Sequence, residues 1–341
     1  MENKSNEKKK MKSIVYTEYG APEVLHLKEV ARPTPKENEV LVKISATTVN
    51  FGDIIARHFT KSKFHMPLPL LPIMRLVFGL RKPRKKILGN EFSGQIEAVG
   101  KDVRLFKIGD PIFGYSGQGM GAYAEYICLP ENATLARKPT NMTYEEAAVV
   151  PMGAMMALGL LKKVDIQPGQ KILINGASGG IGSAAVQLTK HHYGAEVTGV
   201  CGTPRLEFVK ALGADKLIDY KTEDFTKNGE TYDVIFDILG KSSWKMVKNS
   251  LKQNGRYLLA SFGMRSIGQM LRTKMLGSKK VICAMSSDNA EDLREVKELI
   301  ESGKIKAIID KRFPLEQMAA AHRYVEEGHK KGHVVIQVVQ Q

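Results

Sequence analysis

A chain of 341 residues, 43% hydrophobic and 26% charged, is long enough for two domains with separate cores and too apolar to be disordered. Its net charge of +15 suits anionic ligands such as a phosphorylated cofactor, nucleic acid or acidic lipid, and equally suits a merely basic soluble enzyme. Three widely spaced cysteines, Cys128, Cys201 and Cys283, exclude a disulfide framework and zinc-finger spacing, so a reducing, cytoplasmic location is expected.

The first ten residues, "MENKSNEKKK", carry four Lys and two Glu and no apolar run, so they read as a disordered basic tail rather than a secretory signal. Residues 11–137 follow as a mostly β domain. "SIVYTEYG", "EVLVKISATTVN", "EFSGQIEAVG" and "AYAEYICLP" alternate or run apolar over strand lengths, between Gly and Pro breaks. Inside this domain, residues 57–87 hold nine Lys/Arg and no acid around the apolar centre "MPLPLLPIMRLVFGL". Three readings stand for that stretch: a lid giving lipophilic substrates an apolar entrance, a weak contact with anionic membrane surfaces, or a proline-rich scaffold loop.

Residues 138–285 change rhythm. Thr143 followed by acids at 145 and 146 signals a helix start, and Pro151 interrupts the apolar run after it. Strand "KILIN" then leads to helix "GIGSAAVQLTKHHYG", and strand "AEVTGV" to helix "PRLEFVKALGA". Strands "KLIDY" and "YDVIFDI", helix "SSWKMVKNSLKQ" and strands "GRYLLAS" and "KVICAM" complete the series. Such alternation builds a doubly wound parallel sheet of the Rossmann type, covered by helices on both faces. Residues 286–341 add helix "AEDLREVKELIESG", strand "KAIID", helix "LEQMAAAHRYVEEGHKKG" and strand "HVVIQVV".

The turn "ASGGIG" holds a dinucleotide fingerprint with Ala177 in the first position, Gly179 in the second and Gly182 in the third. Lack of a side chain at the second position lets backbone N–H groups approach a pyrophosphate, and the third permits close helix–strand packing. Ser178, Gly180 and Ile181 complete the set of backbone donors. At the end of the second strand, where an NAD site carries an acid, this sequence has Cys201, Gly202 and Thr203, then Arg205. A hydroxyl and a guanidinium bind a 2′-phosphate that a carboxylate would repel, so NADPH is the expected cofactor. Tyr220, closing the next strand, is placed to lie against the adenosine.

The ordered motifs "VNFGD", "GNEFSGQIEAVG", "IGDPIFGY", "GAYAEY", "INGASGGIG" and "LGADKLIDY" resemble the medium-chain dehydrogenase/reductase superfamily. The nearest branch is the zinc-independent quinone oxidoreductase, or zeta-crystallin-like, one. The resemblance spans Lys12 to Val339. It implies an α/β fold: a GroES-like, mostly β catalytic domain completed by C-terminal residues, a Rossmann domain inserted between, and a site in the cleft. It also implies that Asn50 hydrogen-bonds the substrate or nicotinamide region while Asp53 fixes the loop. A Tyr that some relatives carry as a candidate proton donor is Ile55 here, and no general acid is assigned. Two further departures are Met156, where relatives often have Thr, and His333, where they often have Lys.

Relatives that use catalytic zinc carry Cys at the place of Asn50 and His at the place of Asn90. Two carboxamides are poor substitutes for a thiolate and an imidazole, and Val103 to Tyr126 lacks the cysteines of a structural zinc lobe. Without a Lewis acid, alcohol oxidation loses its main assistance, whereas hydride transfer to a quinone or an α,β-unsaturated carbonyl remains feasible. The leading expectation is therefore a zinc-independent NADPH-dependent oxidoreductase acting on a small lipophilic acceptor, as a homodimer, with no specific nucleic-acid partner. A zinc-free alcohol or carbonyl oxidoreductase, and a non-enzymatic NADPH-binding protein with a basic surface for RNA or lipid, are the alternatives.

Overall fold

The computed structural model describes residues 9–58, 79, 81–285, 289–328 and 330–339. Most of the stretch 57–87, with its three readings, and most of the N-terminal tail therefore lie outside the described residues. β1 (Lys10–Val15) and β2 (His26–Ala31) form an antiparallel pair. A second sheet is built from β3 (Glu39–Val49), β4 (Glu91–Val99), β5 (Pro111–Tyr115), β6 (Tyr126–Pro130) and β7 (Thr134–Arg137). Alternation decides its core: Val40, Val42 and Ile44 turn one face of β3 inward against Phe92, Ile96 and Ile112.

The parallel sheet contains β8 (Lys171–Asn175), β9 (Glu196–Cys201), β10 (Lys216–Asp219), β11 (Tyr232–Asp237), β12 (Leu251–Leu259) and β13 (Lys280–Cys283). Its order is β10-β9-β8-β11-β12-β13, so the first strand is central and the chain reverses direction between β8 and β11. A ligand binds at such a switch point, beyond the carboxyl ends of the strands. Both faces are buried. Ile172, Ile174, Val234 and Phe236 enter one core with Leu158, Leu161 and Ala185, while Leu173, Ile235 and Tyr257 enter another with Phe225 and Val247. Each such large apolar side chain contributes about 1.5–3 kcal/mol on burial.

The chain then returns to the first domain. β15 (His333–Gln337) pairs antiparallel with β3, and β14 (Ile309–Pro314) extends that sheet parallel to β15. No helix among the described residues is long and apolar enough to cross a membrane.

Several elements differ from the expectation. The helix over 242–253 is one turn, Trp244–Val247, and β12 already begins at Leu251. Trp244, Val247 and Leu251 have helical spacing, but Leu251 is buried as a strand partner of Tyr232, and Asn254 (φ +63°) absorbs the irregular register. Tertiary pairing overrides local pattern there. A helix at Met264–Met275 was not anticipated, and the strand expected over 306–310 is shifted to β14, where β15 supplies its partner. Thr143 does start a helix, with a full capping box to Glu146, and that helix stops short of Pro151.

Candidate functional site

Gly176 (φ +96°) turns the chain out of β8, and the N–H groups of Gly176 and Ala177 are both donated to the Val200 carbonyl of β9. The helix Gly180–Gln187 follows with Gly179 as its N-cap, so no side chain satisfies its first-turn N–H groups. On Gly182 a Cβ would fall 2.1 Å from the Gly176 carbonyl oxygen, whereas on Gly179 the nearest atom is 3.8 Å away. The third fingerprint glycine is thus a packing necessity, and the second leaves the turn open. Ile181 packs its side chain on the core, leaving only its N–H for a ligand. Ser178 accepts a hydrogen bond from Gly332 N–H, which ties the turn to the segment entering β15. An open, uncapped helix start of this kind fits a pyrophosphate.

Beyond β9, Thr203–Arg205 forms a single 3-10 turn. The Arg205 guanidinium donates to the Gly328 carbonyl at 2.5 Å, and its buried Nε has no partner among the described residues. Tyr220 is 58% exposed, and a Cβ on Gly202 would meet its hydroxyl at 3.2 Å. The exposed Tyr220 phenol thus lies against Gly202 at the carboxyl end of β9, the position where an adenosine would be held. The Thr203 hydroxyl, however, donates to Asp219 at 2.5 Å. That bond and the Lys221 N–H hold the Asp219 carboxyl below the usual carboxylate range. Sequence reasoning missed Asp219; its signal, an acid just before Tyr220, acquires meaning only once β9 and β10 are known neighbours.

In the first domain, Asn50 and Asp53 cap the helix Phe51–His58 reciprocally. Asp53 N–H donates to Asn50 Oδ1 at 3.2 Å, and Asn50 N–H donates to Asp53 Oδ2 at 3.1 Å. Asp53 Oδ1 accepts Gly89 N–H at 3.1 Å, and burial pushes this carboxyl up to about 7 against those donors. Because Asn50 Oδ1 is an acceptor, its amide orientation is set, and Nδ2 donates to Asn90 Oδ1 at 2.6 Å. The Asn90 orientation follows in turn. Its Nδ2 remains a donor with no partner among the described residues.

Glu91, fully buried, is a site residue that sequence reasoning also passed over. It accepts the Thr48 hydroxyl at 2.5 Å, Met152 N–H at 2.7 Å and, more weakly, Asn50 Nδ2 at 3.4 Å. Pro151 explains the Met152 contact: it opens a π-turn, Pro151–Met155, whose first N–H groups need an outside acceptor. Burial raises the Glu91 carboxyl, while nearby Lys330 opposes the rise. Lys330 donates to the Gly332 carbonyl at 2.6 Å, and burial lowers its ammonium. His333 is buried beneath Gly153 and Gly180, where a Cβ on either would lie 2.7 Å from its ring; burial lowers it to about 3.

Two family models match this chain: "Alcohol dehydrogenase GroES-like domain" over residues 36–140 and "Zinc-binding dehydrogenase" over 212–336. The chain is 32% identical to a 2-methylene-furan-3-one reductase of Solanum lycopersicum, over 96% of this chain and 79% of that protein. It is 31% identical to a chloroplastic NADPH-dependent alkenal/one oxidoreductase of Arabidopsis thaliana, over 96% and 80% respectively. The structure of a quinone oxidoreductase from Coxiella burnetii superposes with a TM-score of 0.83 at 27% identity, over 97% of this chain and 100% of that one. The chain belongs to the medium-chain dehydrogenase/reductase superfamily, in its quinone oxidoreductase branch.

Membership raises the question of zinc. The residues do not fit that metal. Asn50 and Asn90 are hydrogen-bonded to each other, each with its amide oxygen already accepting, and an amide nitrogen has no lone pair for a cation.

Proposed function

We propose that this protein is an NADPH-dependent reductase of α,β-unsaturated carbonyls and quinones that works without zinc. The carrying observation is the directed amide relay Asp53 N–H to Asn50 to Asn90, which leaves Asn90 Nδ2 as a fixed donor. A bound reduced nicotinamide supplies the hydride. The chain's own part is to hold the acceptor and to place Asn90 Nδ2 against the carbonyl oxygen, where negative charge develops as the conjugated electrons shift onto it. The proton that completes reduction comes from water, since no residue of this site is assigned to give it. The test is cofactor oxidation with enals, quinones and saturated aldehydes, with and without a strong chelator. Enals and quinones should turn over, saturated aldehydes should be at least a hundredfold slower, and the chelator should change nothing. Chelator-sensitive turnover of saturated aldehydes or alcohols would overturn this reading.

For the cofactor, the reading is supported by the turn after β9, where Gly202, Thr203 and Arg205 stand in place of an acid. NADPH should bind at least tenfold more tightly than NADH, which is about 1.4 kcal/mol. Arg205→Ala should shrink that ratio through NADPH alone. Asp219→Asn should widen it, because the Asp219 charge repels a 2′-phosphate. Equal dissociation constants for both cofactors by titration would remove phosphate recognition from the proposal.

Two further features belong to this reading. Among the described residues the outer edge of β13 is unpaired, and Leu271, Met275, Leu276 and Met285 are exposed around it, which supports a homodimer formed there. The cysteines are free thiols in the structure, which supports a reducing compartment such as the cytosol.

A further inference from the structure

Behind the Asn50 loop runs a row of buried polar groups that the sequence analysis left without a role. Arg57 and His322 are fully buried, and so is Tyr123. Arg57 donates to Glu326 Oε1 at 2.6 Å through one terminal nitrogen, and its other terminal nitrogen lies 3.2 Å from His322 Nδ1. His322 Nε2 lies 3.1 Å from the Tyr123 hydroxyl, which also hydrogen-bonds the Asp53 carboxylate.

We propose that Glu326, Arg57, His322 and Tyr123 form a one-directional hydrogen-bond chain that positions both site asparagines by keeping the Asp53 oxygens as acceptors. The direction follows from chemistry. A guanidinium has only donors, so His322 Nδ1 accepts and is unprotonated. The ring proton therefore sits on Nε2 and is donated to the Tyr123 oxygen, and the single Tyr123 O–H is left for Asp53. Burial, then the Arg57 charge, hold His322 well below its ordinary range, which keeps the ring neutral. Asp53 ends the chain facing three donors: Tyr123 O–H, Gly89 N–H and Asn50 N–H.

Protonation of Asp53 would reverse this chain. The new O–H would have to be donated to Tyr123, whose own proton would then turn to His322 Nε2. That tautomer carries a proton on Nδ1, directed at an Arg57 N–H, so donor faces donor. The arrangement thus resists protonation of a carboxyl that burial alone favours protonating. Other groups acting on the chain are Glu91 from β4, Tyr16 from the segment after β1, and Glu23 towards Arg57. The consequence is geometric. One Asp53 oxygen holds the Asn50 backbone and the other holds Gly89, next to Asn90, so a single carboxylate spaces the two amides.

The kinetic arm of the test rests on the reductase reading above; the spectroscopic arm does not. In Tyr123→Phe, which removes a donor to charged Asp53, and in His322→Phe, which removes the N–H that keeps the Tyr123 O–H turned towards Asp53, the acid limb of the kcat/KM profile should move up, by about one pH unit in the first. His322→Gln, whose amide can accept from Arg57 and donate to Tyr123, should return the limb to its wild-type position. An unmoved limb in both phenylalanine variants, or a glutamine variant displaced as far as His322→Phe, would reduce the chain to scaffold. Nitrogen NMR of the wild-type protein labelled at histidine decides the polarity without any variant or activity. His322 should show a protonated Nε2 and a bare Nδ1 from pH 6 to 9, and a protonated Nδ1 would overturn the proposal.

Discussion

Asn90→Ala is expected to lower kcat on an enal about a hundredfold while leaving the dissociation constant of the cofactor within twofold. One preorganised donor to a developing oxyanion is worth on the order of 10²–10³ in rate. Asn90 is 5% exposed, its Oδ1 is held by Asn50, and its Nδ2 is the end of a relay whose direction is set by backbone N–H groups. The proposed dinucleotide turn lies on the parallel sheet and, among the described residues, shares no hydrogen bond with this amide, so ground-state cofactor binding should be spared. Asn90→Asp separates charge from shape. It can still accept from Asn50, but an ionised carboxylate would oppose negative charge on the substrate oxygen, so its loss should be at least as large. Stopped-flow measurement of the hydride-transfer step, with cofactor titration alongside, checks both variants. Unchanged hydride transfer in Asn90→Ala would remove the amide from the mechanism.

The second large effect is expected from Gly182→Ala, which should cost on the order of 3 kcal/mol, as overpacking does, and weaken dinucleotide binding more than a hundredfold. The added Cβ would lie 2.1 Å from the Gly176 oxygen and 2.8 Å from the Ala177 carbonyl carbon. Both obstacles are backbone, so no side chain can move aside, and the helix must lift off the turn proposed to hold the phosphates. Gly268→Ala is the matched control. It lies within the helix Met264–Met275 with nothing within 4 Å of the new Cβ, and alanine there should stabilise by up to about 1 kcal/mol. Thermal unfolding with and without NADPH reads both terms. If Gly182→Ala melts like Gly268→Ala and keeps cofactor protection, the close helix–strand contact is not what holds the turn.

Much of this protein is legible locally. The strand-to-helix turn with Ala177, Gly179 and Gly182, and the βα alternation around it, depend on residues a few positions apart. So does the reciprocal cap between Asn50 and Asp53, although the spacing alone did not reveal that both amide and carboxylate would be engaged. The absent Cys and His at positions 50 and 90 are likewise a matter of side-chain chemistry, readable without coordinates.

What the sequence by itself determined is therefore the class of fold and the kind of chemistry: a glycine-rich strand-to-helix turn, a β domain completed by the C-terminus, and carboxamides at positions 50 and 90. Only the tertiary structure decided which polar groups meet. Tyr123 lies 199 residues from His322, and Arg57 lies 265 from it. No periodicity links such positions, because their contact depends on the final helix Met318–Glu326 packing behind the first. Asp219 reached Thr203 for a similar reason, as adjacent parallel strands end side by side. Glu91 found its partners only when Pro151 broke a helix opposite it. Local pattern specifies elements through short-range sterics and burial, whereas a buried polar network exists only where several elements exclude water together.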